Sequence, residues 1–175
     1  MFLKDVELRI ISELMKNSRR SDREIAKAVG VSQPTVSRVI QKLEKEGFIR
    51  EYTMIPDYVR LGFQLVSITF AQLSEPVSEE ITKDVLKHTR ELEDKNPSPT
   101  IIAMNGMGVG ADNVAVALHK DYSEYVRFRE FIRGFPHVKV DEIKSFIIDL
   151  NDKSHWRYLT FSALAKYLLK MNETR

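Results

Sequence analysis

Five polar side chains recur at short intervals along one predicted helix, and their chemistry fits hydrogen bonding to nucleic-acid bases. They are Gln33, Thr35, Ser37, Arg38 and Gln41. An arginine can donate two parallel hydrogen bonds to guanine, and a glutamine amide can pair with adenine in the same forked way. The pattern therefore predicts a surface that reads base edges in the major groove of double-stranded DNA, each good pair contributing about 1–3 kcal/mol of discrimination.

A second set of cationic and hydroxyl side chains flanks that helix and would bind phosphates, which position a protein without specifying sequence. The predicted phosphate contacts are Arg19, Arg20, Ser21, Lys42, Lys45 and Arg50. Residues 16–45 hold eight basic and three acidic residues, a net charge of +5, whereas the other 145 residues sum to −3. This uneven distribution indicates an anionic partner, although a solvated helical face would produce the same pattern.

Local signals place these side chains on a helix-turn-helix. Apolar residues at helical spacing predict a first helix at about 4–16. Ser21 and Glu24 form a capping box for a second helix, which ends at Gly30, where glycine tolerates the positive φ of a tight turn. Ser32 then caps the third helix. A three-helix module with a merely polar surface is the plain alternative.

The third helix and the segment after it complete the first domain. Pro34 lies in the first turn, where its missing N–H costs nothing, and Gly47 ends the helix after about Glu46. Residues 48–55 alternate and are rich in β-forming types, so they predict a wing or connecting strand. On that strand, Arg50 and Tyr52 are expected to contact either the DNA backbone or the second domain.

The remaining chain predicts a second domain of order βαββαβ. The predicted strands are 65–73, 100–104, 114–118 and 137–150, and the predicted helices are 79–95 and 122–133. The alternation changes phase near Asp141, which predicts a bulge in the last strand. This order is a ferredoxin-like fold with two helices on one sheet face. Because the other face is left apolar and uncovered, pairing with a second copy under twofold symmetry is expected.

Two further segments carry separate predictions. A glycine-rich loop is predicted between two strands, with Gly106, Gly108, Gly110 and Asp112 as its candidate ligand-binding residues. A dinucleotide fingerprint needs a helix directly after its glycines, and a strand follows here, so a flexible turn or small-ligand loop is the favoured interpretation. Residues 156–171 are too apolar for a free tail and predict a helix packing on the sheet or on another subunit.

Several function classes lose support from the composition. The chain has no cysteine, which excludes disulfides, thiolate metal sites and cysteine nucleophiles. Its four histidines are scattered, so neither a metal site nor a cofactor is implied; they are His88, His119, His137 and His155. His119 is expected near Asp112 across a turn. No signal peptide or membrane span is recognisable, and no serine lies in a nucleophile elbow, so a cytoplasmic non-enzyme is predicted.

The helix-turn-helix resembles that of the leucine-responsive regulatory protein/AsnC family of prokaryotic transcription regulators. The resemblance is carried by residues 25–38 and 43–50 and extends over about residues 4–150. It implies a homodimer that also builds tetramers or octamers, and a small-molecule effector such as an amino acid bound between subunits. The family's Gly-Asp-aromatic-Asp effector loop corresponds here to residues 105–113, which are longer and lack the aromatic residue.

Taken together, the sequence predicts an α+β protein that regulates transcription by binding DNA. Its parts are a winged helix-turn-helix domain at 1–60, a ferredoxin-like βαββαβ dimerisation and effector domain at 61–152, and a C-terminal helical extension at 153–175. The alternative is an enzyme resembling the sirohaem decarboxylases, which share this two-domain architecture. Such an enzyme is expected to hold its polycarboxylate substrate in a basic, histidine-rich pocket, and residues 101–118 are almost devoid of histidine and arginine.

Overall fold

The computed structural model describes residues 3–76, 78–93, 100–154 and 159–173. The chain divides into two compact units, the first formed by residues 1–56 and 155–175 and the second by residues 57–154. Among the described helices, none combines the length and the apolar character that crossing a bilayer requires.

The first unit contains the predicted helix-turn-helix. Its helices are α1 (Asp5–Lys16), α2 (Asp22–Val29) and α3 (Gln33–Lys45). They pack around a core in which Ile10, Ile25 and Val36 are fully buried. The predicted capping box begins α2, because the Glu24 amide donates to Ser21 Oγ (3.3 Å) and the Ser21 amide donates to Glu24 Oε2 (2.8 Å). All three helices start and stop within a residue or two of the local signals.

The second unit has the predicted βαββαβ order. Its elements are β1 (Leu65–Ala71), α4 (Glu79–Glu93), β2 (Thr100–Gly108), β3 (Ala111–His119), α5 (Tyr122–Arg133), a 3₁₀ turn (Val140–Glu142) and β4 (Lys144–Asp149). The strands form one antiparallel sheet in the order β2-β3-β1-β4. The ferredoxin-like fold and the α+β class are therefore confirmed.

The two faces of this sheet differ in the size of their side chains. Strand alternation sends small or polar residues toward the helices, where Ala71 and Ala117 pack against Phe128 and Ile132 of α5. The opposite side, called the open face below, carries large apolar side chains. These large apolar side chains include Val66, Ile68, Phe70, Val114, Val116 and Phe146.

The predicted strand at residues 48–55 is wrong, because no strand is assigned in this segment. The alternation of polar and apolar side chains is present, but a strand also needs a hydrogen-bonded neighbour. The amides of Phe48 and Ile49 instead donate to the carbonyl of Leu43 at the end of α3, at 2.9 and 3.3 Å. The Thr53 carbonyl accepts from Ser18 Oγ at 3.0 Å, so this segment follows the helices as an irregular strap.

Two predictions in the second unit also need correction. Most of the predicted glycine-rich loop is strand: β2 continues through Gly106 to Gly108, and a two-residue turn at Val109 and Gly110 leads directly into β3. The predicted bulge near Asp141 is a 3₁₀ turn, in which the Glu142 amide donates to the Lys139 carbonyl at 3.0 Å. A turn also interrupts alternation, so the sequence pattern alone does not separate it from a bulge.

The C-terminal helix α6 (Ser162–Glu173) belongs to the first unit. It packs on α1, where Ser12 Oγ donates to the Ala165 carbonyl at 3.1 Å and both residues are fully buried. The prediction that this helix packs on the sheet or on another subunit is thus corrected in favour of the helix-turn-helix. Trp156, which was part of the same prediction, lies outside the described residues.

Candidate nucleic-acid interface

The turn between α2 and α3 fixes the direction of the third helix. Gly30 has φ of +81°, and its amide donates to the Ala26 carbonyl at 2.9 Å, a left-handed helix end that glycine adopts without steric cost. Ser32 Oγ accepts from the Thr35 amide at 3.3 Å, and Pro34 occupies the first turn of α3. The start of α3 is therefore held on both sides of the turn.

Helix α3 buries one side and presents a polar side to solvent. Val36 and Leu43 are fully buried, whereas Gln33, Arg38 and Gln41 are exposed. Ser37 lies one helical turn before Gln41 and is half-buried. The guanidinium of Arg38 forms no ion pair with any described residue, so its fork of donors is available to a ligand. The structure therefore brings four of the five predicted base-reading residues to one continuous surface.

Thr35 differs from the other four candidates. Its side chain is half-buried, and its hydroxyl is hydrogen-bonded to Ser32 Oγ at 2.8 Å. The hydroxyl thus serves the start of the helix, and base contact would require that bond to be exchanged.

The predicted phosphate contacts divide into free and occupied groups. Arg19, Lys45 and Arg50 are exposed and make no ion pair within the described ranges. Arg20 pairs with Glu13, and the Ser21 hydroxyl bonds Glu24 Oε2 at 2.7 Å. These two groups are held by carboxylates of their own chain, so they are the weaker candidates.

Lys42 is also occupied, by a carboxylate from α1. Its Nζ lies 2.6 Å from Oε1 of Glu7, a buried residue whose other oxygen accepts from the Lys4 amide at 2.7 Å. The hydrogen bond from Lys42, followed by the one from Lys4, holds the pKa of Glu7 below its usual value, and the same pair raises the pKa of Lys42. This ion pair connects α3 to α1, so the Lys42 ammonium is engaged within the chain.

Two further basic residues, which were not among the predicted phosphate contacts, are also exposed and unpaired within the described ranges. Arg23 and Lys27 are exposed on α2, one helical turn apart, and neither forms an ion pair with a described residue. The sequence could have identified them, because a spacing of four residues on an amphipathic helix places both side chains on the solvent side.

Tyr52 has a structural partner in the strap. Its hydroxyl donates to Glu44 Oε1 on α3 at 2.7 Å. Burial first, and then this bond to a carboxylate, raise the pKa of Tyr52 to about 12, so the hydroxyl stays protonated and continues to donate. The contact connects the strap to α3.

The predicted effector-loop residues form a tight hairpin, and one of them has a structural partner. Gly106 and Gly108 lie within β2 and Gly110 in the turn, whereas Asp112 Oδ2 accepts from the Leu73 amide at 3.0 Å. The expected proximity of His119 to Asp112 is wrong, because they lie toward opposite ends of β3. No group of three potential metal ligands occurs in the described part of the chain.

Residues 3–50 match the family model described as winged helix-turn-helix DNA-binding. The transcriptional regulator LrpC of Bacillus subtilis is 38% identical over 71 residues, which cover 41% of this chain and 49% of LrpC. The chain spans about half the length of several curated relatives that it matches in this way. An uncharacterized HTH-type transcriptional regulator of Pyrococcus abyssi, PYRAB00690, is 29% identical over 159 residues, covering 83% of this chain and 97% of that protein.

Solved structures share the fold of both units. The structure of B. subtilis LrpC matches with a TM-score of 0.67 at 21% identity, covering 90% of this chain and all of LrpC. That of Escherichia coli AsnC matches with 0.66 at 17%, covering 91% and 99%. The Neisseria meningitidis regulator NMB0573, solved with L-Met, matches with 0.71 at 18%, covering 93% and 99%. The resemblance is thus confirmed: the chain is similar to the leucine-responsive regulatory protein/AsnC regulators, in sequence over its helix-turn-helix and in fold over both units.

Proposed function

We propose that the chain is a cytoplasmic, sequence-specific regulator of transcription that binds double-stranded DNA as a homodimer. The observation that carries the proposal is the exposed polar side of α3, where Arg38, Gln41 and Lys45 face solvent and neither Arg38 nor Lys45 has an ion-pairing partner among the described residues. A helix whose polar groups are unsatisfied by its own chain, on a capped and rigid turn, meets the requirement for reading base edges in a major groove.

The open face of the sheet supports the homodimer. Large apolar side chains such as Ile68 and Val116 lie on it, and Phe146 is 64% exposed, whereas the helices cover the side with small residues. A second copy would bury this face under twofold symmetry, and higher oligomers would add to that pair. Two α3 helices would then enter successive major grooves about 34–36 Å apart, or a multiple of that distance.

The decisive experiment selects bound fragments from randomised duplex DNA with the wild-type chain and with Arg38→Ala. We expect the wild type to enrich a pseudo-palindrome and the variant to lose preference at one position of each half-site, at a cost of about 1–3 kcal/mol there. An unchanged sequence preference in the variant would show that α3 does not read the bases through Arg38.

Lys45 and Lys42 form a matched pair for separating phosphate contacts from internal contacts. We expect Lys45→Ala to weaken binding to all sequences alike and to reduce the slope of log affinity against log salt by about 1. Lys42→Ala should change the slope less, because its ammonium is already paired with Glu7, and should lower the stability of the first unit instead. Equal slope changes for both variants would contradict this assignment.

Regulation by a small molecule is a further part of the proposal, supported by the complex of the NMB0573 regulator with L-Met. Repeating the DNA titration with each amino acid tests it: a changed affinity identifies an effector. The decarboxylase alternative gains no specific support. Among the described residues, no charged side chain lines the cavity between the sheet and the helices of the second unit, and a buried polycarboxylate needs cationic partners.

A further inference from the structure

The second unit contains a cavity of about 250 Å³ between the sheet and its two helices. Its floor is the helix side of the sheet, where Ala71, Ala103 and Ala115 are short side chains. Its wall is aromatic, with Phe128 and Phe131 of α5. The short floor explains the space, because protein interiors seldom leave voids much larger than a water molecule when larger side chains are present.

The position of α4 keeps this cavity from closing. Helix α4 contacts the segment that follows α5, where the His88 ring meets Phe135 edge-on at 5.1 Å between centroids and Asp84 Oδ2 lies 3.7 Å from His137 Nε2. These contacts hold α4 at one side, and its residues Ile81, Val85 and Leu86 roof the space above the alanines. The cavity is therefore bounded by apolar groups on three sides.

The polar groups of the lining are few, neutral and mostly occupied. Thr82 and Thr89 each donate a hydroxyl hydrogen bond to a carbonyl of their own helical segment at 2.8 Å, and Thr69 is bonded to Ser145 at 2.9 Å. At one end, Asn113 Nδ2 donates to Asn105 Oδ1 at 3.2 Å. That amide pair retains one carbonyl and one amide group for a further partner.

We propose that this cavity binds an uncharged aromatic molecule of one or two rings, with its single polar group at the Asn105–Asn113 pair. Size supports this class, because an apolar cavity of about 150 Å³ already holds benzene. Phenylalanine walls favour aromatic ligands through edge and offset-stacked contacts. A free amino acid or a carboxylate is disfavoured, because none of the described residues that line the cavity carries a charge to compensate its desolvation. Binding of such a molecule in this cavity does not require that the chain bind DNA.

The test is calorimetric titration of the full-length chain with indole and 1-naphthol, without DNA. L-Tryptophan and indole-3-acetate are the charged controls. We expect saturable binding of one neutral aromatic molecule per chain and at least about tenfold weaker binding of both charged controls. Absence of binding by both neutral probes, or equal binding of the charged ones, overturns the proposal, and neither result depends on whether the chain binds DNA.

Two variants locate the site. Ala115→Leu and Ala103→Leu each place a larger side chain on the cavity floor, and we expect either one to reduce indole affinity at least about tenfold. Ala28→Leu adds the same group on the exposed side of α2 and should bind as the wild type does. Folded floor variants with wild-type affinity would overturn the assignment. If both floor variants unfold, nuclear Overhauser contacts between indole and alanine methyl groups of the wild-type sheet decide: their presence supports the site and their absence refutes it.

Discussion

His119 illustrates how burial determines what a single titratable side chain can do. The residue is fully buried, its Nε2 lies 2.7 Å from Ser67 Oγ, and its ring packs on Tyr125 and Phe128. Its Nδ1 has no hydrogen-bond partner within the described structure. Burial lowers the pKa of His119, because the charged ring would lose its hydration. The histidine is therefore a neutral core residue.

This lowered pKa predicts an acid-sensitive stability. Below about pH 6.5 the unfolded chain binds a proton at residue 119 that the folded chain does not, so the free energy of unfolding falls from there down to the folded pKa. Above pH 6.5 both states are neutral and the contribution is constant. Urea unfolding at pH 7.5 and 5.5 measures the loss, which His119→Gln should reduce. His88→Gln, at a partly exposed position, is the control that should retain it, and an equal pH dependence in all three proteins would refute the prediction.

For single residues, the sequence predicted which side chains are exposed, but it did not predict which side chains pair with each other. The polar side of α3 followed from helical periodicity, because a 3.6-residue repeat sorts neighbouring residues by side. The pairing of Lys42 with Glu7 joins residues 35 positions apart, and nothing in the local pattern of either residue signals it. The sequence therefore identified candidate phosphate contacts by charge and could not separate free cations from those neutralised by their own chain.

Among the elements, α6 gives the clearest prediction. Ala165 is fully buried against α1, and its neighbour Lys166 is exposed. We expect Ala165→Leu to lower the free energy of unfolding by about 1–3 kcal/mol, because the larger side chain overpacks the contact between α1 and α6. Lys166→Leu, the same new side chain one position along, should stay within about 0.5 kcal/mol of the wild type. Urea unfolding monitored by circular dichroism compares them, and similar losses in both variants would argue against the packing of α6 on α1.

Helices were more predictable than connections, and the β2–β3 hairpin shows why. Its two-residue turn places Val109 at φ of +49° and Gly110 at +72°. A β-branched residue is unusual in that left-handed region, where hairpins favour Asn-Gly or Gly-Gly pairs. The run of glycines between the two predicted strands was therefore interpreted as a longer loop. Helix caps, by contrast, are chemically specific. The side-chain oxygens of Ser21, Ser32 and Asp121 each accept a hydrogen bond from the backbone amide three residues later in the sequence.

On the scale of the whole molecule, the open face predicts how the chain assembles. We expect Val116→Lys to shift the proposed homodimer to monomer in sedimentation equilibrium, because it places a charge in the centre of a face that a second copy would bury. Val126→Lys is the matched control, since Val126 is 40% exposed on the outer side of α5, and it should sediment as the wild type does. A dimer that persists in folded Val116→Lys would exclude the open face as the interface.

The order of elements was predictable and the membership of the last one was not. The βαββαβ order follows from the hydrophobic periodicity of each segment and from the turn signals between segments. An antiparallel ferredoxin-like sheet is a known arrangement of elements in that order. Helix α6 contacts a helix more than 140 residues earlier in the chain, as the bond from Ser12 to Ala165 shows. Its apolar residues revealed that it packs on a partner, but amphipathic patterning does not identify which one.

The uneven faces of the sheet have a consequence for how the stability of this chain must be expressed. In a chain that buries its open face in a second copy, folding and association are linked through mass action. The apparent unfolding midpoint then rises with the logarithm of protein concentration, and a free energy measured at one dilution does not transfer to another. If the chain forms this dimer, the number of copies in a cell becomes one of the variables that determine how much of the chain is folded.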